Sequence, residues 1–571
     1  MPTRRPWRTR SRARRSAITA IDGSGIAQPH AGGGTAEDAP VSEPETLAVA
    51  GPDRDRDRAR RARWAWPAAY ALSAVVLFFC YLRISGTQGV TSDGASQALQ
   101  AWDMMHGNWL LKGWTLTDVS FYTTELPEYI VVGVFRGLGP ADVHTAAAIT
   151  YTLLVVLAGL LAKGDKTGKE GLVRVLIASG IMIAPQVGPG AFLLLLSPDH
   201  TGTGVPLLLI FLLLDRAPRR PWVPLTAGLM LVWAQVGDRL VLTIGVLPIV
   251  VVCAVRAYRD VVQRREPVRE RWFDLSLAAA AIASVGVSDV IVKIIRHLGG
   301  YMSAPLNTTF APSAEWPAHI ALAAEGVLGL YGADIAGRSV GFYAAIALIH
   351  LVGLALAVWA VGRAVRRFFA VDDLITQVLT VAVLANLAAY VFSVLPNTFW
   401  DNREIANVLP FGAVLAGRLL AGKLMQARIL PALTAVACCY LLALGYGVSR
   451  PQLPAHDQAL TDWLSAHHLS DGLGSYAEGN SVTLDSHGSI LLIAPTWRAY
   501  SVRPGAHEAK ASDFDPRQHY ANFVVTTTQD GPAFYIPPAW IVKAFGQPAH
   551  TYHYGVWTIM TYDQNLLAEL S

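Results

Sequence analysis

The sequence predicts an α-helical membrane protein that crosses the bilayer about eleven times and carries a small α/β domain after the last span. Three observations predict it. Hydrophobic residues make up 53% of the chain and charged residues 15%, where soluble chains average ~25% charged; mean hydropathy is +0.36. Several apolar runs approach the ~20 residues that a helix needs to cross a bilayer. Between those runs, Lys and Arg recur in alternate loops, as in segments kept on the cytoplasmic side.

The net charge of +4 is uneven: residues 1–64 hold 13 Arg and 8 acids, a net +5, and the remainder is −1. Residues 1–60 carry Gly, Pro, Ala and acidic patches without periodicity, so the N-terminal region 1–63 is expected to be a disordered cytoplasmic tail. Its end, RDRDRARRARW, directly precedes the first apolar run and orients it. That placement favours membrane orientation over nucleic-acid binding, and no nucleic-acid partner is expected. The pair Arg4–Arg5 stands too far from an apolar run for a twin-arginine signal, and no cleavable signal peptide is expected. Cys80, Cys253, Cys438 and Cys439 all fall in apolar spans, which supports neither a disulfide framework nor a cysteine metal site.

Taken in order, the expected spans are residues 66–84, 144–162, 172–196, 205–214, 222–236, 240–255, 273–295, 340–361, 374–395, 405–420 and 430–446. The third is interrupted by Pro185, Gly188 and Pro189, and the short fourth and fifth are compatible with one hairpin. With the N-terminus inside, KGDKTGKE, DRAPRRP, RAYRDVVQRREPVRER, GRAVRRF and GKLMQAR are all inside loops, and every one is rich in Lys or Arg. An odd number of spans then puts residues 447–571 outside. In that tail DQALTDWLSAHHL and AWIVKAFG have helical spacing, while SVTLDS, SILLIAP, NFVVTTT and YGVWTIMTY alternate like strands. No Gly-rich phosphate loop follows a strand there, so no nucleotide site is expected.

Chemistry-bearing residues gather in the outside loops. The first such loop, 86–141 between the first two spans, opens with a short helical pattern. Ala95, Ala98, Leu99, Trp102 and Met105 share one face, and Asp93, Ser96, Gln97, Gln100 and Asp103 the other. Such a helix is expected to lie along the membrane surface with its carboxylates in water. Asp93 at its start fits an ordinary N-cap as well as a catalytic acid. Its company favours catalysis: Glu125 and Glu128 share the loop, and Asp199–His200 lies in the next outside loop. Carboxylates and a histidine at one membrane face suit a general base and an oxygen-rich site for a divalent metal such as Mg or Mn, with Asp199 and His200 as candidate ligands. Arg239, Arg296, His297 and Arg403 fall at outer ends of spans, against the positive-inside bias, where cations can pair with a lipid-linked phosphate. Asp289–Lys293 and Asp334–Arg338 are spaced four apart and read as structural pairs. Trp102, Trp109, Trp114, Trp316 and Trp400 all map to the outside, as interface anchors or platforms for a sugar.

With these residues in place the chain resembles the GT-C superfamily of membrane glycosyltransferases that use polyprenyl-phosphate sugars, including mannosyl- and arabinosyltransferases. The resemblance rests on an acidic residue just after the first span, Asp93, and on FYTTELPEYIVVGVFRGLG, residues 121–139, before the second. Glu125 and Pro127 keep the signature, whereas Leu126 stands where a Lys is common and His144 near an expected Arg. The resemblance implies an inverting transfer to a glycan, lipid or protein acceptor of the cell envelope. Asp93 would be the general base, and Glu125, carrying the signature with Pro127, a further catalytic residue; by their position in the outside loops and at span ends, Arg239, Arg403, His200 and Glu128 are the candidates to contact substrate or phosphate. Metal dependence varies among such enzymes and stays open. Two other classes remain at this level: a transporter or lipid flippase, and an envelope scaffold acting through the outer domain. The absence of an internal repeat and the gathering of polar residues at span ends count against the former.

Overall fold

The computed structural model describes residues 52–265, 267–305, 309–455, 457–498, 500–505, 507–528 and 534–570. Contacts divide the chain into Met1–Ala65 and Trp66–Ser571. The expected tail up to residue 51 lies outside the described residues. Residues 52–63, expected to be disordered, are instead helical and begin α1 (Pro52–Ser85). Pro suits the first helical position, and Arg and Ala are strong helix formers.

In the second unit, α1 is followed by α2 (Ser92–Met105), α3 (Leu126–Arg136) and α4 (Pro140–Lys163). Then come α5 (Gly168–Met182), α6 (Pro189–Leu195), α7 (Gly204–Arg216) and α8 (Trp222–Gly237). The third expected span is therefore two pieces, α5 and the short α6, because Pro185 and Pro189 remove backbone donors and Gly188 turns at φ +96°. A π-turn at Leu242–Val246 leads into α9 (Leu247–Tyr258), then α10 (Trp272–His297). The expected long loop at 296–339 contains an apolar helix, α11 (Trp316–Leu330), with Pro in its first turn. It is followed by α12 (Phe342–Arg366), α13 (Leu374–Phe392), α14 (Val408–Gln426) and α15 (Leu430–Ser449). Among the described residues, eight helical segments are long and apolar enough to cross a membrane, and α8 is a shorter apolar helix.

Small residues let these helices approach closely: Gly417 of α14 sits against the Arg174 carbonyl, Ala162 and Ala178, where a Cβ would collide. Aromatic pairs fill the wider gaps, Tyr81 with Tyr151 at 4.8 Å and Phe211 with Phe411 at 5.8 Å between ring centres. At one end of the bundle Arg418 joins Asp215 (2.8 Å) and Asp373 (3.0 Å), tying α14 to α7 and α13. The candidate site lies at the other end.

The C-terminal region holds α16 (Gln458–Ala466), α17 (Tyr476–Asp485) and α18 (Pro538–Phe545) around a five-stranded mixed sheet. Its strand order is Leu491–Ile493, Asp471–Leu473, Phe523–Thr527, Trp557–Thr561, His550–Tyr554. Alternation sorts the side chains as a strand requires: Phe523 and Val525 pack with Leu460, Leu464 and Val482 of α16 and α17. Val524 faces the other way, onto Ile541 and Phe545 of α18. SVTLDS, expected to be a strand, is the second half of α17. Ser475 caps that helix at Ala477 N (3.1 Å), and Thr483 bonds back to the Gly479 carbonyl (3.0 Å), so its β-branched residues sit in a buried helix.

A second, three-stranded sheet joins distant loops: Trp114–Leu116 pairs in parallel with Met302–Ser303 and antiparallel with Ala509–Lys510. The loop between α1 and α4 and the C-terminal region thus share backbone hydrogen bonds. The helix α2 does not lie with its polar face in water. Ser96, Gln97 and Gln100 are buried, and Ala95, Ala98 and Ala101 pack with Tyr129, Val143 and Leu484.

Candidate active site

Thr91, not Asp93, caps α2, its hydroxyl accepting from Gly94 N at 3.4 Å. Asp93 in the first turn is thereby free to face a cavity of about 280 Å³, together with Gln97, Asp118, Asp199, His200 and Arg403. Its side chain keeps 25% exposure. Burial pushes its carboxyl above the usual carboxylate range; Arg403 and the Tyr476 hydroxyl pull it down, and Asp199 pushes it up.

Arg403 is the hub of the cavity wall and is buried at 5% exposure. It comes from the 3₁₀ turn Phe399–Ile405. Its guanidinium donates to Asp199 and to Ser197 Oγ (3.2 Å), and stands 3.8 Å from Asp93 Oδ2. Its plane lies 4.5 Å from the Trp400 ring centre. Asp199 accepts further bonds from Gln97 and from Ser197 Oγ (2.8 Å). The fork of a guanidinium thus fixes one carboxylate and faces a second.

His200 pairs through Nδ1 with Asp238 Oδ2 at 3.1 Å, and Asp238 also accepts from Thr203 and from Leu240 N (2.8 Å). Burial works against the imidazolium, but Asp238 outweighs it and His200 is pushed up to about 9. Glu404, across from it, is raised by burial to about 7, with His200 pulling the other way. Phe121, His200 and Glu508 all line this cavity with left-handed backbone, at φ +49°, +56° and +47°. Non-glycine residues in that region are uncommon and concentrate at functional sites.

The candidate metal ligands do not fit a divalent ion. Both Asp199 oxygens accept from protein donors, and the Arg403 guanidinium stands at Asp199 and 3.8 Å from Asp93, where a second cation would be repelled. Among the described residues, no group of three or more His, Cys, Asp or Glu is placed to hold a metal.

The other predicted residues lie elsewhere. Glu125 is buried at 1% exposure beneath the turn at Gly202, takes the Thr124 hydroxyl, and does not line the cavity. Burial holds its carboxyl well above the usual range. Glu128 accepts from Thr150 of α4 at 2.6 Å, and burial raises it to about 8. It joins α3 to α4 and is likewise off the cavity wall. Arg239 lines an adjoining cavity of about 250 Å³ with His200, Asp238 and Glu404. Arg239 bonds Asp289 at 2.5 Å, so Asp289 is tied to α8's end rather than to Lys293. Asp334 and Arg338 do pair, at 2.8 Å. Arg296 bonds Ser303 (2.6 Å), and His144 contacts Ser85 Oγ (2.9 Å) inside the bundle. Asp103 is held by Lys510 (2.9 Å), Trp114 (2.8 Å) and Asn108 (2.7 Å), a structural anchor for the C-terminal region.

The structure adds residues that spacing does not single out: Asp118, Asp238, Glu404, Tyr476, His507 and Glu508. Asp238 and Glu404 adjoin Arg239 and Arg403 in GDR and DNRE, a local signal at span ends. Tyr476, whose hydroxyl donates to Asp93 Oδ1 at 2.5 Å, is 383 residues away in the chain and has no such signal.

The multi-span bundle with its β-containing C-terminal region shares its fold with a membrane protein solved with a polyprenyl phosphate. No protein-family model matches the chain, and no curated protein matches it in sequence. Among solved structures it is similar to ArnT from Cupriavidus metallidurans bound to undecaprenyl phosphate. The TM-score is 0.52 at 11% identity, over 89% of this chain and 99% of that one. A likeness to the Archaeoglobus fulgidus oligosaccharyltransferase in complex with Zn and sulfate has a TM-score of 0.45 at 13% identity, over 86% and 73% of the two chains.

Proposed function

We propose that this chain is a membrane glycosyltransferase that moves a sugar, with inversion, from a polyprenyl-phosphate donor to an extracytoplasmic acceptor, using Asp93 as general base. One observation carries the reading. In a fold shared with ArnT, a partly exposed carboxylate in the loop after α1 faces a polar cavity and a buried arginine 3.8 Å away.

The acceptor hydroxyl gives its proton to Asp93 as its oxygen attacks the anomeric carbon. The bond from that carbon to the phosphate oxygen breaks, and the polyprenyl phosphate leaves with the electron pair. A single displacement inverts the centre. Arg403 helps keep Asp93 ionised against the burial that opposes its charge. The adjoining cavity suits an amphipathic donor: it shares Asp118, His200 and Glu404 with the polar one and runs on to Leu240, Phe310, Ala389, Tyr390 and Leu395. Charge growing on the leaving phosphate would meet Arg239, whose partner Asp289 is 42% exposed and can yield to it. ArnT, similar in fold, has been solved with undecaprenyl phosphate, which supports a donor of that lipid class. The basic alternate loops support a plasma-membrane protein with this site outside. The donor sugar is left open between hexose and pentose, and the acceptor between glycan, lipid and protein.

The test is transfer by the purified full chain in lipid nanodiscs, given a polyprenyl-phosphate sugar labelled in the sugar and an envelope extract as acceptor. Label is expected to leave the lipid phase for the acceptor as free polyprenyl phosphate accumulates. In a parallel vesicle assay, label that crosses the bilayer still attached to its lipid, without transfer, would overturn the reading in favour of a flippase.

A further inference from the structure

The Tyr476 hydroxyl lies within hydrogen-bonding distance of two carboxylates, Asp93 Oδ1 at 2.5 Å and Glu508 Oε2. A phenol has one proton to donate, and an ionised carboxylate has none. Tyr476 donates to one of them; the second contact requires a proton on a carboxyl. Glu508 is the one placed to hold it, at 4% exposure, whereas Asp93 is a quarter exposed and stands 3.8 Å from Arg403. The same conclusion follows from the charges around the pair. Asp93 faces Arg403, Asp199 and His507, and Glu508 faces Asp93, Asp199 and Arg403, with burial raising it far above the usual range. Across the cavity stand Asp118, His200, Asp401 and Glu404.

Glu508 also has a second outlet. It lines the 280 Å³ cavity and, alone among that cavity's described lining residues, a cleft of about 540 Å³ between α2 and the C-terminal region, with Trp102, Asn480, His487 and Lys510. Its left-handed backbone, φ +47°, is held by the strand that follows it, where Ala509 and Lys510 pair with Thr115 and Trp114.

We propose that Asp93 and Glu508 hold one proton between them through the Tyr476 hydroxyl, so that the C-terminal domain carries away the proton that the acceptor gives up at Asp93. At rest Glu508 donates to the Tyr476 oxygen and Tyr476 donates to ionised Asp93. Transfer protonates Asp93. Glu508 then releases its proton to water in the 540 Å³ cleft, the Tyr476 proton moves to Glu508, and the Asp93 proton moves to Tyr476. One proton enters and one leaves, and the resting state returns. Tyr476 is a positioning residue for the base, and Glu508 is the exit. The inference rests on the reading of Asp93 as base.

The experiment compares labelled-sugar transfer across pH by the wild-type full chain with Tyr476→Phe, Glu508→Gln and Asp93→Asn. Glu508→Gln imitates the protonated carboxyl but cannot pass a proton. It is expected to lower kcat about ten-fold or more while leaving KM and the acid limb in place. Tyr476→Phe removes a bond that favours ionised Asp93, so its acid limb is expected to move to higher pH as kcat falls. The double variant is expected to be no slower than the slower single, because the two are links of one chain. Full activity in Glu508→Gln, or additive losses with an unmoved acid limb in Tyr476→Phe, would overturn the relay. Undiminished transfer by Asp93→Asn would instead overturn the base, and absence of transfer by the wild type would overturn the enzyme. A readout free of activity is the infrared difference between wild type and Glu508→Gln at neutral pH. A neutral carboxyl band is expected to be lost, and loss of ionised carboxylate bands instead would overturn the relay.

Discussion

Replacing Arg403 with Met takes a cation from two carboxylates while keeping most of the side-chain volume. The guanidinium stands 3.8 Å from Asp93 Oδ2. At an effective dielectric constant near 20, a pair at that separation is worth about 4 kcal/mol. The Asp93 side chain is 25% exposed, and allowing half of the attraction to solvent screening leaves about 2 kcal/mol. At 1.36 kcal/mol for each pH unit, Asp93 would then ionise about 1.5 units higher. The assay is the pH dependence of kcat/KM for labelled-sugar transfer, whose acid limb reports the free enzyme's base. The limb is expected to shift upward by that amount in Arg403→Met and by much less in Arg403→Lys, which keeps the charge and loses the fork. Asp199, 2% exposed, loses its partner at the same time, which costs about 3–5 kcal/mol of stability and lowers Tm. A folded Arg403→Met protein whose acid limb coincides with the wild type would refute the electrostatic role assigned to Arg403.

Three further outcomes are expected. His200 is raised from 6.5 to about 9 by Asp238 against burial, so its protonation contributes on the order of 3 kcal/mol of stability that is complete below pH 6.5 and lost as pH rises through about 9; thermal unfolding across that range should show the loss in the wild type and much less of it in Asp238→Asn. Glu125 lies off the cavity and burial pushes its carboxyl toward the neutral form, so transfer by Glu125→Gln should stay within about two-fold of wild type, and a loss of a hundred-fold or more would place Glu125 in the chemistry. Because the oxygens of Asp199 are taken by Gln97, Ser197 and Arg403, transfer is expected to survive a chelator; loss that Mg or Mn restores would show a metal site where the geometry argues against one.

Asp93, Asp199–His200 and Arg403 were legible in the sequence for one physical reason. Each stands at the polar end of an apolar run, where a change in period and charge is a local signal. Glu125 shared that signal through its neighbour Pro127, yet burial beneath Gly202 takes it off the cavity, and burial is not written in spacing. The same limit explains α2. Its two-faced pattern fits a helix at a water boundary, but the face with Ser96, Gln97 and Gln100 is covered by the protein's own polar groups. In α17, Val482 and Thr483 favour a strand locally and tertiary packing overrides them. That helix carries Tyr476, so the local strand preference also conceals the contact to Asp93.

The central claim is that Asp93 is the base of a sugar transfer. The direct measurement is the initial rate of transfer from a labelled polyprenyl-phosphate sugar by wild type and Asp93→Asn, alongside donor binding by each. The amide keeps the shape and the Tyr476 contact but cannot take the acceptor's proton. The account predicts transfer by the wild type, a fall of about a hundred-fold or more in the variant, and donor binding unchanged. Transfer by Asp93→Asn at the wild-type rate would contradict it.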